Sequence, residues 1–267
     1  MHEELLLLYI ADVLSGLDHP TIRESVEQSI SSFRSLPAPK QAYTEYLLER
    51  KPPSDEPART AIFWKIRLKL IELLQSGLIY DAATALERIE KRKDILLAEL
   101  VVLYGRLHRH DEALQLLVHD LKDFQGAETY CYSGGTFVDS AKSKDARLAL
   151  QQELFPRLLS EYLRLDTKDD RISQTVSLLD RWGQFFDVEL VLKIVPNEWS
   201  VSTLQNFLVS ALRRLLHEKR QVKLIKSLCL GQNIATRAEW VELVSKEGPF
   251  VQTDEAIAVP ETTGPTE

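Results

Sequence analysis

The stretch HDEALQLLVHDLKDFQGAETYC (110–131) sets histidines, carboxylates and a cysteine close together, and two readings compete for it. One is a reactive or metal-binding site; the other is a helical hairpin whose polar residues face water. Ala113, Leu117, Leu121 and Phe124 fall at steps of four, four and three, which is one buried stripe on a helix. Burying Leu117, Leu121 and Phe124 contributes about 1.5–3 kcal/mol each. Asp111 and Glu112 then stand at the helix start, where acids stabilise the macrodipole by about 0.3–1 kcal/mol. Asp120, Lys122 and Asp123 are expected to face solvent, and the stretch reads as a hairpin.

The chemical alternatives need spacings that are missing. Zinc is held by local His/Cys pairs such as C-x2-C joined to a second pair. His108 and His110 are two apart, at the end of a helix predicted over 94–110 and the turn into the next over 111–124. His119 lies nine residues on and Cys131 stands by itself. Histidines at a helix C-terminus are favoured there for their partial positive charge. The sequence has no G-x-S-x-G turn, no H-E-x-x-H and no glycine-rich phosphate loop. Gly134–Gly135 is a loop element with no phosphate motif after it. The expectation is therefore no catalytic residue, no metal and no cofactor.

Outward from this centre the same helical spacing recurs. Leu5, Leu8, Val13 and Leu14 mark a first amphipathic segment; Ile22, Val26, Ile30 and Phe33 mark a second, ended by LPAP (36–39). Tyr43, Tyr46 and Leu47 give a short helix. KPPSDEPAR (51–59) reads as an exposed connector. Ile62, Ile66, Leu70, Leu73 and Leu74 predict a strong helix stopped by Gly77, and 81–91 predicts the next. After a loop at 133–145 comes a long helix in which Pro156 predicts a kink or a break. Further helices are expected over 172–186 and 188–195. Ser200 is placed to cap a helix carrying Leu204, Leu208, Ala211 and Leu215, and Val222, Ile225 and Leu228 continue its pattern. The tail 253–267 is acidic and rich in proline and threonine, without periodicity.

These elements predict an all-α fold, an α-solenoid of stacked antiparallel helix hairpins of tetratricopeptide or clathrin-repeat type. The expected organisation is an N-terminal helical part (1–50), the connector (51–59), the solenoid (60–245) and a disordered tail (246–267). Composition agrees with a folded chain of this class: of 267 residues, 44% are hydrophobic and 27% charged. A net charge of −7 argues against nucleic acid as the default partner, since phosphate needs the opposite sign. Two cysteines, Cys131 and Cys229, imply no disulfide framework and fit a reducing compartment. No run of about 18 apolar residues is present, and Glu3, Glu4 and Asp12 spoil a signal peptide, so a soluble, cytosolic chain is expected.

The most cationic stretch is RRLLHEKRQVKLIK (213–226), which reads either as a solvated helix face or as a patch for acidic lipid headgroups or an acidic partner. The aromatics Trp182, Phe185, Phe186, Trp199 and Phe207 read as core, because each large ring buries 150–250 Å² of surface as a rule. An exposed aromatic contact for a partner is the alternative for one of them.

Three stretches carry a family likeness. DEALQLLVHDLKDFQGAETYC (111–131), FDVELVLKIVPNEWSV (186–201) and LRRLLHEKRQVKLIKSLCLGQN (212–233) resemble the vacuolar-sorting tether subunits related to the transforming-growth-factor-β-receptor-associated protein. The spacing F-D-x-x-x-V-L-x-x-x-P-x-x-W-S-V leans toward the CORVET-type branch rather than the HOPS-type branch. The likeness covers 94 to about 240; residues 1–93 match in being helical. It implies a non-catalytic scaffold that acts in endosomal or vacuolar tethering and protein transport. Class C core subunits are the implied partners, with Rab-marked endosomal membranes reached indirectly through the complex. It implies a cytoplasmic chain, peripheral on endosomal or vacuolar membranes. The relatives also carry a β-propeller and a zinc-binding RING-like module. Here no propeller precedes the solenoid and no cysteine follows residue 240. Either the chain is a fragment or short product, or its solenoid carries the interactions by itself. The expected partner contacts are Trp199, Arg213, Arg214, Lys219 and Arg220. Two other readings are a helical-repeat adaptor for peptide tails, expected to show a basic concave groove, and an enzyme with an unrecognised site.

Overall fold

Leucine at helical spacing, with few glycines to interrupt it, gives helix wherever the chain takes regular structure among the described residues, which are 2–36, 41–49, 57–76, 80–135 and 144–248 of a computed structural model. In chain order the helices are α1 (His2–Leu17), α2 (Pro20–Ser35), α3 (Tyr43–Glu49), α4 (Ala58–Gln75), α5 (Ala82–Ile89) and α6 (Leu97–Arg106). They continue with α7 (His110–Gln115), α8 (Phe124–Tyr132), α9 (Lys144–Leu163), α10 (Lys168–Trp182), α11 (Val188–Ile194) and α12 (Gln205–Glu247). The chain divides into two compact units at Ala211/Leu212, so that α12 starts in the first and makes up the described part of the second.

In the first unit several neighbours in sequence are neighbours in space: α1 packs on α2, α5 on α6, α6 on α7, α8 on α9 and α9 on α10. Longer connections run from α1 to α4 and α5, from α4 to α6 and from α7 to α9. The apolar stripe predicted at Ile22, Val26, Ile30 and Phe33 is buried, and on α9 Leu154, Leu158, Leu159 and Tyr162 are buried while Leu148 is exposed. No single helix among the described residues is long and apolar enough to cross a membrane. The pair α1–α2 has the composition for it together, but Leu6, Ile10, Val13 and Leu17 of α1 are spent on the core.

Several expectations need correction. The helix through 111–124 is not continuous: α7 passes into a π turn (Leu116–Asp120), and the chain then stops at Lys122, which takes φ 54°. The stop is closed by Asp123 N–H donating at 2.8 Å to the Leu117 carbonyl six residues back, one residue wider than the six-to-one bond that ordinarily ends a helix on a left-handed residue. Asp123 is buried rather than solvent-facing. The helix α9 runs through Pro156 unbroken, so the proline costs it one backbone bond and not its continuity. On α4 the buried face is Phe63, Trp64, Arg67, Leu70, Ile71 and Leu74, and Ile62 is exposed. Burial along α12 ends at Ala211, since Leu215, Val222, Ile225 and Leu228 are all exposed.

Of the predicted punctuation, LPAP beyond Leu36, the connector up to residue 56, Gly77, the loop 136–143 and the tail beyond Gly248 lie outside the described residues. Ala58 and Arg59 already belong to α4. Ser200 caps as expected, accepting a bond from Ser202 N–H, although it opens a 3-10 turn (Val201–Leu204) that leads into α12.

Candidate functional site

The polar side chains of the central hairpin are consumed by the packing of α7, α8 and α9. Asp111 accepts both bonds of Arg157 Nη1 at 2.9 Å, and Arg109 pairs with Glu112 at 2.5 Å. His119 Nε2 stands 3.0 Å from Glu161 Oε2, joining the π turn to α9. Glu128 is buried and receives Arg181 Nη1 and Trp182 Nε1, both at 2.9 Å on the same oxygen, which ties α8 to α10. Each of these carboxylates thus has a structural partner in a neighbouring helix or turn.

The histidines and the cysteine separate in the same way. His108 occupies the turn before α7 with φ 58°, and His110 opens α7 rather than closing the preceding helix. The His110 ring is buried, with Nδ1 2.7 Å from the Tyr130 hydroxyl. Gly135 is needed beside it, because a Cβ there would meet that ring. Among the described residues no group of three or more His, Cys, Asp and Glu side chains comes together as a metal site.

Cys131 is fully buried, and loss of solvent, then the nearby Glu128 carboxylate, pushes its thiol well above the usual range. Such a group stays protonated at the pH where a free cysteine ionises, and the thiolate is the nucleophile. Ellman's reagent at about pH 8 is expected to react promptly with exposed Cys229, and with Cys131 only after denaturant is added. Prompt reaction of both thiols in the folded chain would show the Cys131 environment to be open.

Among the described residues, two concavities of the first unit bear on these readings. The more enclosed, about 230 Å³, has Ala98, Val101, Leu117 and Leu121 in its wall and Glu45, Gln75 and Thr129 among its polar lining. An open groove of about 630 Å³ along α10 is lined by Ile172, Val176, Asp180, Arg181 and Thr203. Neither is basic: the enclosed one carries acids and no cation, and the open one pairs one acid with one cation.

The sequence places partner contacts at Trp199, Arg213, Arg214, Lys219 and Arg220. In the first unit, Trp199 is half-buried against the core, in a turn where its N–H donates to the Pro196 carbonyl at 3.1 Å. Phe186 and Phe207 are core residues, and Trp182 and Phe185 pack on it, the latter stacked on Phe155 with centroids 4.9 Å apart. In the second unit, Arg213, Lys219 and Arg220 are exposed on α12 and Arg214 is partly buried. The three arginines lie off the line of exposed leucines that Lys219 shares.

A buried ion pair escaped the sequence reading. Arg67 of α4 and Glu99 of α6 are both fully buried, with Nε 2.6 Å and Nη2 3.1 Å from the two carboxylate oxygens. Burial opposes the charge on Arg67, but Glu99 and Tyr43 outweigh it and hold the guanidinium's pKa above its ordinary value. The available signal was Arg67 in register with Phe63, Trp64, Leu70, Ile71 and Leu74, an arginine inside an apolar stripe.

Comparison with known proteins gives the chain a place. It is 32% identical over 236 residues to the transforming growth factor-beta receptor-associated protein 1 homolog of Danio rerio, covering 87% of this chain and 25% of that protein. It is 33% identical over 191 residues to the human transforming growth factor-beta receptor-associated protein 1, covering 71% of this chain and 21% of that protein. It is 25% identical over 252 residues to vacuolar protein sorting-associated protein 3 of Schizosaccharomyces pombe, covering 87% of this chain and 25% of that protein. A match of 236 residues is longer than 94–267, so the relation reaches into the first 93 residues as well. The chain spans about a quarter of the length of the curated relatives it matches. No family model and no solved structure matches. The chain belongs to the vacuolar-sorting family that includes the transforming growth factor-β receptor-associated protein and vacuolar protein sorting-associated protein 3.

Proposed function

We propose that the chain is a non-catalytic scaffold of an endosomal or vacuolar membrane-tethering complex of CORVET/HOPS type. It serves vesicle fusion and protein transport by binding class C core subunits. Its helices stack as an α-solenoid of antiparallel hairpins, and it sits peripherally on endosomal or vacuolar membranes through the complex. The observation that carries this reading is the identity to receptor-associated proteins, between 31% and 34%. The physical mechanism is multivalent holding: a scaffold that presents an extended surface raises the effective concentration of its partners without doing chemistry.

The alternative of an adaptor for peptide tails expected a basic concave groove, and the two concavities described give it no support. Partner contacts are assigned to Trp199 in the first unit and, separately, to Arg213, Arg214, Lys219 and Arg220 in the second. The full chain, tagged and mixed with purified class C core subunits, is expected to retain them on the affinity resin. Arg213→Glu, Arg214→Glu and Arg220→Glu together are expected to reduce that recovery several-fold. Absence of core subunits from the bound material at high bait concentration would refute the docking claim.

A further inference from the structure

The second compact unit exposes large apolar side chains along α12. From Leu212 onward α12 presents Leu216, Leu230, Ile234, Trp240 and Val241, each more than half exposed, with Ile234 at 67% and Trp240 at 64%. Contiguous apolar surface of this kind marks a place where another molecule sits.

The charges on that surface say what kind of molecule. Steps of three and four residues from Leu212 pass through the leucines just named and also through Lys219, Lys223, Lys226 and Arg237. These four cations therefore lie within the apolar face, not along its borders. The carboxylates of Glu218, Glu239 and Glu242 fall on its other sides. Among the described residues, Lys246 pairs with Glu242 away from the face, whereas Lys219, Lys223, Lys226 and Arg237 make no salt bridge. Among the described side chains, the face is apolar with four positive charges and no negative one.

Three occupants can be weighed on that pattern. A helix lying on a bilayer keeps its cations on the polar side and sinks an uncharged apolar face into the acyl boundary. Here Lys219, Lys226 and Arg237 would have to sink with the leucines. A second copy pairing through the same face is an isologous contact, which sets this cationic surface against itself. A helix whose own apolar seam carries glutamates or aspartates meets both requirements, covering the leucines and pairing the cations as it does so. We propose that this face of α12 docks an amphipathic helix of a partner protein with carboxylates interspersed among its apolar contact residues. The proposal rests on the scaffold reading and adds to it the chemistry of the partner surface.

The test uses the full chain and synthetic amphipathic peptides about four heptads long, with leucine at the core positions and glutamate, glutamine or lysine interleaved on the same face. Fluorescence anisotropy is expected to show the glutamate peptide binding at least tenfold more tightly than the glutamine peptide at low ionic strength, with the gap narrowing in high salt. The chain carrying Lys219→Glu, Lys226→Glu and Arg237→Glu is expected to lose the glutamate peptide about tenfold or more and to gain the lysine peptide. All three sites are exposed, and far-ultraviolet circular dichroism checks that the helix survives.

Equal affinity for the glutamate and glutamine peptides would overturn the proposal. So would binding to phosphatidylserine vesicles with no peptide binding, or dimerisation of the free chain that the three reversals abolish. Binding that emerges only when residues 249–267 are removed would assign the face to the chain's own acidic tail, and would overturn it too. The two claims fail separately: peptide selectivity without core-subunit recovery refutes the tethering partner, and recovery without peptide selectivity refutes the acidic seam.

Discussion

Glu99→Ala is expected to lower the unfolding free energy of the chain by about 3–5 kcal/mol, read from the midpoint of a urea titration followed by circular dichroism. The cause is not the loss of attraction within the pair but what remains afterwards. Arg67 has no exposed surface, and its guanidinium would be left in the core between α4 and α6 without its counter-charge. Its other neighbours, the Ile95 carbonyl at 3.4 Å and the face of Trp64 at 5.3 Å, cannot neutralise it. Unlike a lysine, an arginine does not escape by giving up its proton.

The double variant Arg67→Met with Glu99→Leu separates this cause from simple loss of packing. Replacing both charges with apolar groups of similar volume removes the desolvation cost along with the attraction, so most of the stability is expected to return. A double variant as unstable as Glu99→Ala would mean that the site depends on shape rather than on charge balance. A Glu99→Ala variant with an unchanged midpoint would mean that water reaches Arg67 in the folded chain.

The contrast between what the sequence revealed and what it hid follows from the range of the interactions involved. The Ser200 cap and the short helix α11 depend on neighbours a few residues away, and both are found where local spacing put them. The stripe Ala113, Leu117, Leu121 and Phe124 also packs inward as expected. The helix carrying it does not run through, because Lys122 is held left-handed by a bond that propensity does not report. On α4 the expected positions Ile66, Leu70, Leu73 and Leu74 pack on the core and only Ile62 stays exposed. The buried Arg67 escaped local reading because its partner Glu99 lies 32 residues further along.

For the interaction residues the limit is of another kind. Periodicity finds Leu215, Val222 and Ile225, but it does not say whether anything covers them. The same apolar pattern serves a buried helix and one that awaits a partner. Position of charge is more informative than its quantity: the three arginines that drew attention to 213–226 lie off the apolar face, while Lys219, Lys223, Lys226 and Arg237 lie within it.

Asp123→Ala is expected to destabilise the chain by about 2–4 kcal/mol, more than a helix cap is ordinarily worth. One carboxylate oxygen accepts from Gly126 N–H at 2.8 Å and caps α8, a role whose loss costs about 1 kcal/mol. The other accepts from Tyr43 N–H at 2.7 Å, at the start of α3 and 80 residues away. Tyr43 is buried, so its amide would lose its partner without gaining water, which adds about 1–3 kcal/mol. Gly126 belongs to the same arrangement, since a Cβ there would collide with the Asp123 carboxylate. Asp123→Asn keeps one acceptor oxygen and is expected to recover part of the loss, whereas Asp123→Ser can serve the α8 cap but falls short of Tyr43. Hydrogen exchange distinguishes the two bonds: the Asp123→Ala chain should lose protection at Tyr43 as well as at Gly126. Loss at Gly126 with Tyr43 still protected would reduce Asp123 to an ordinary cap and bring the expected cost down to about 1 kcal/mol.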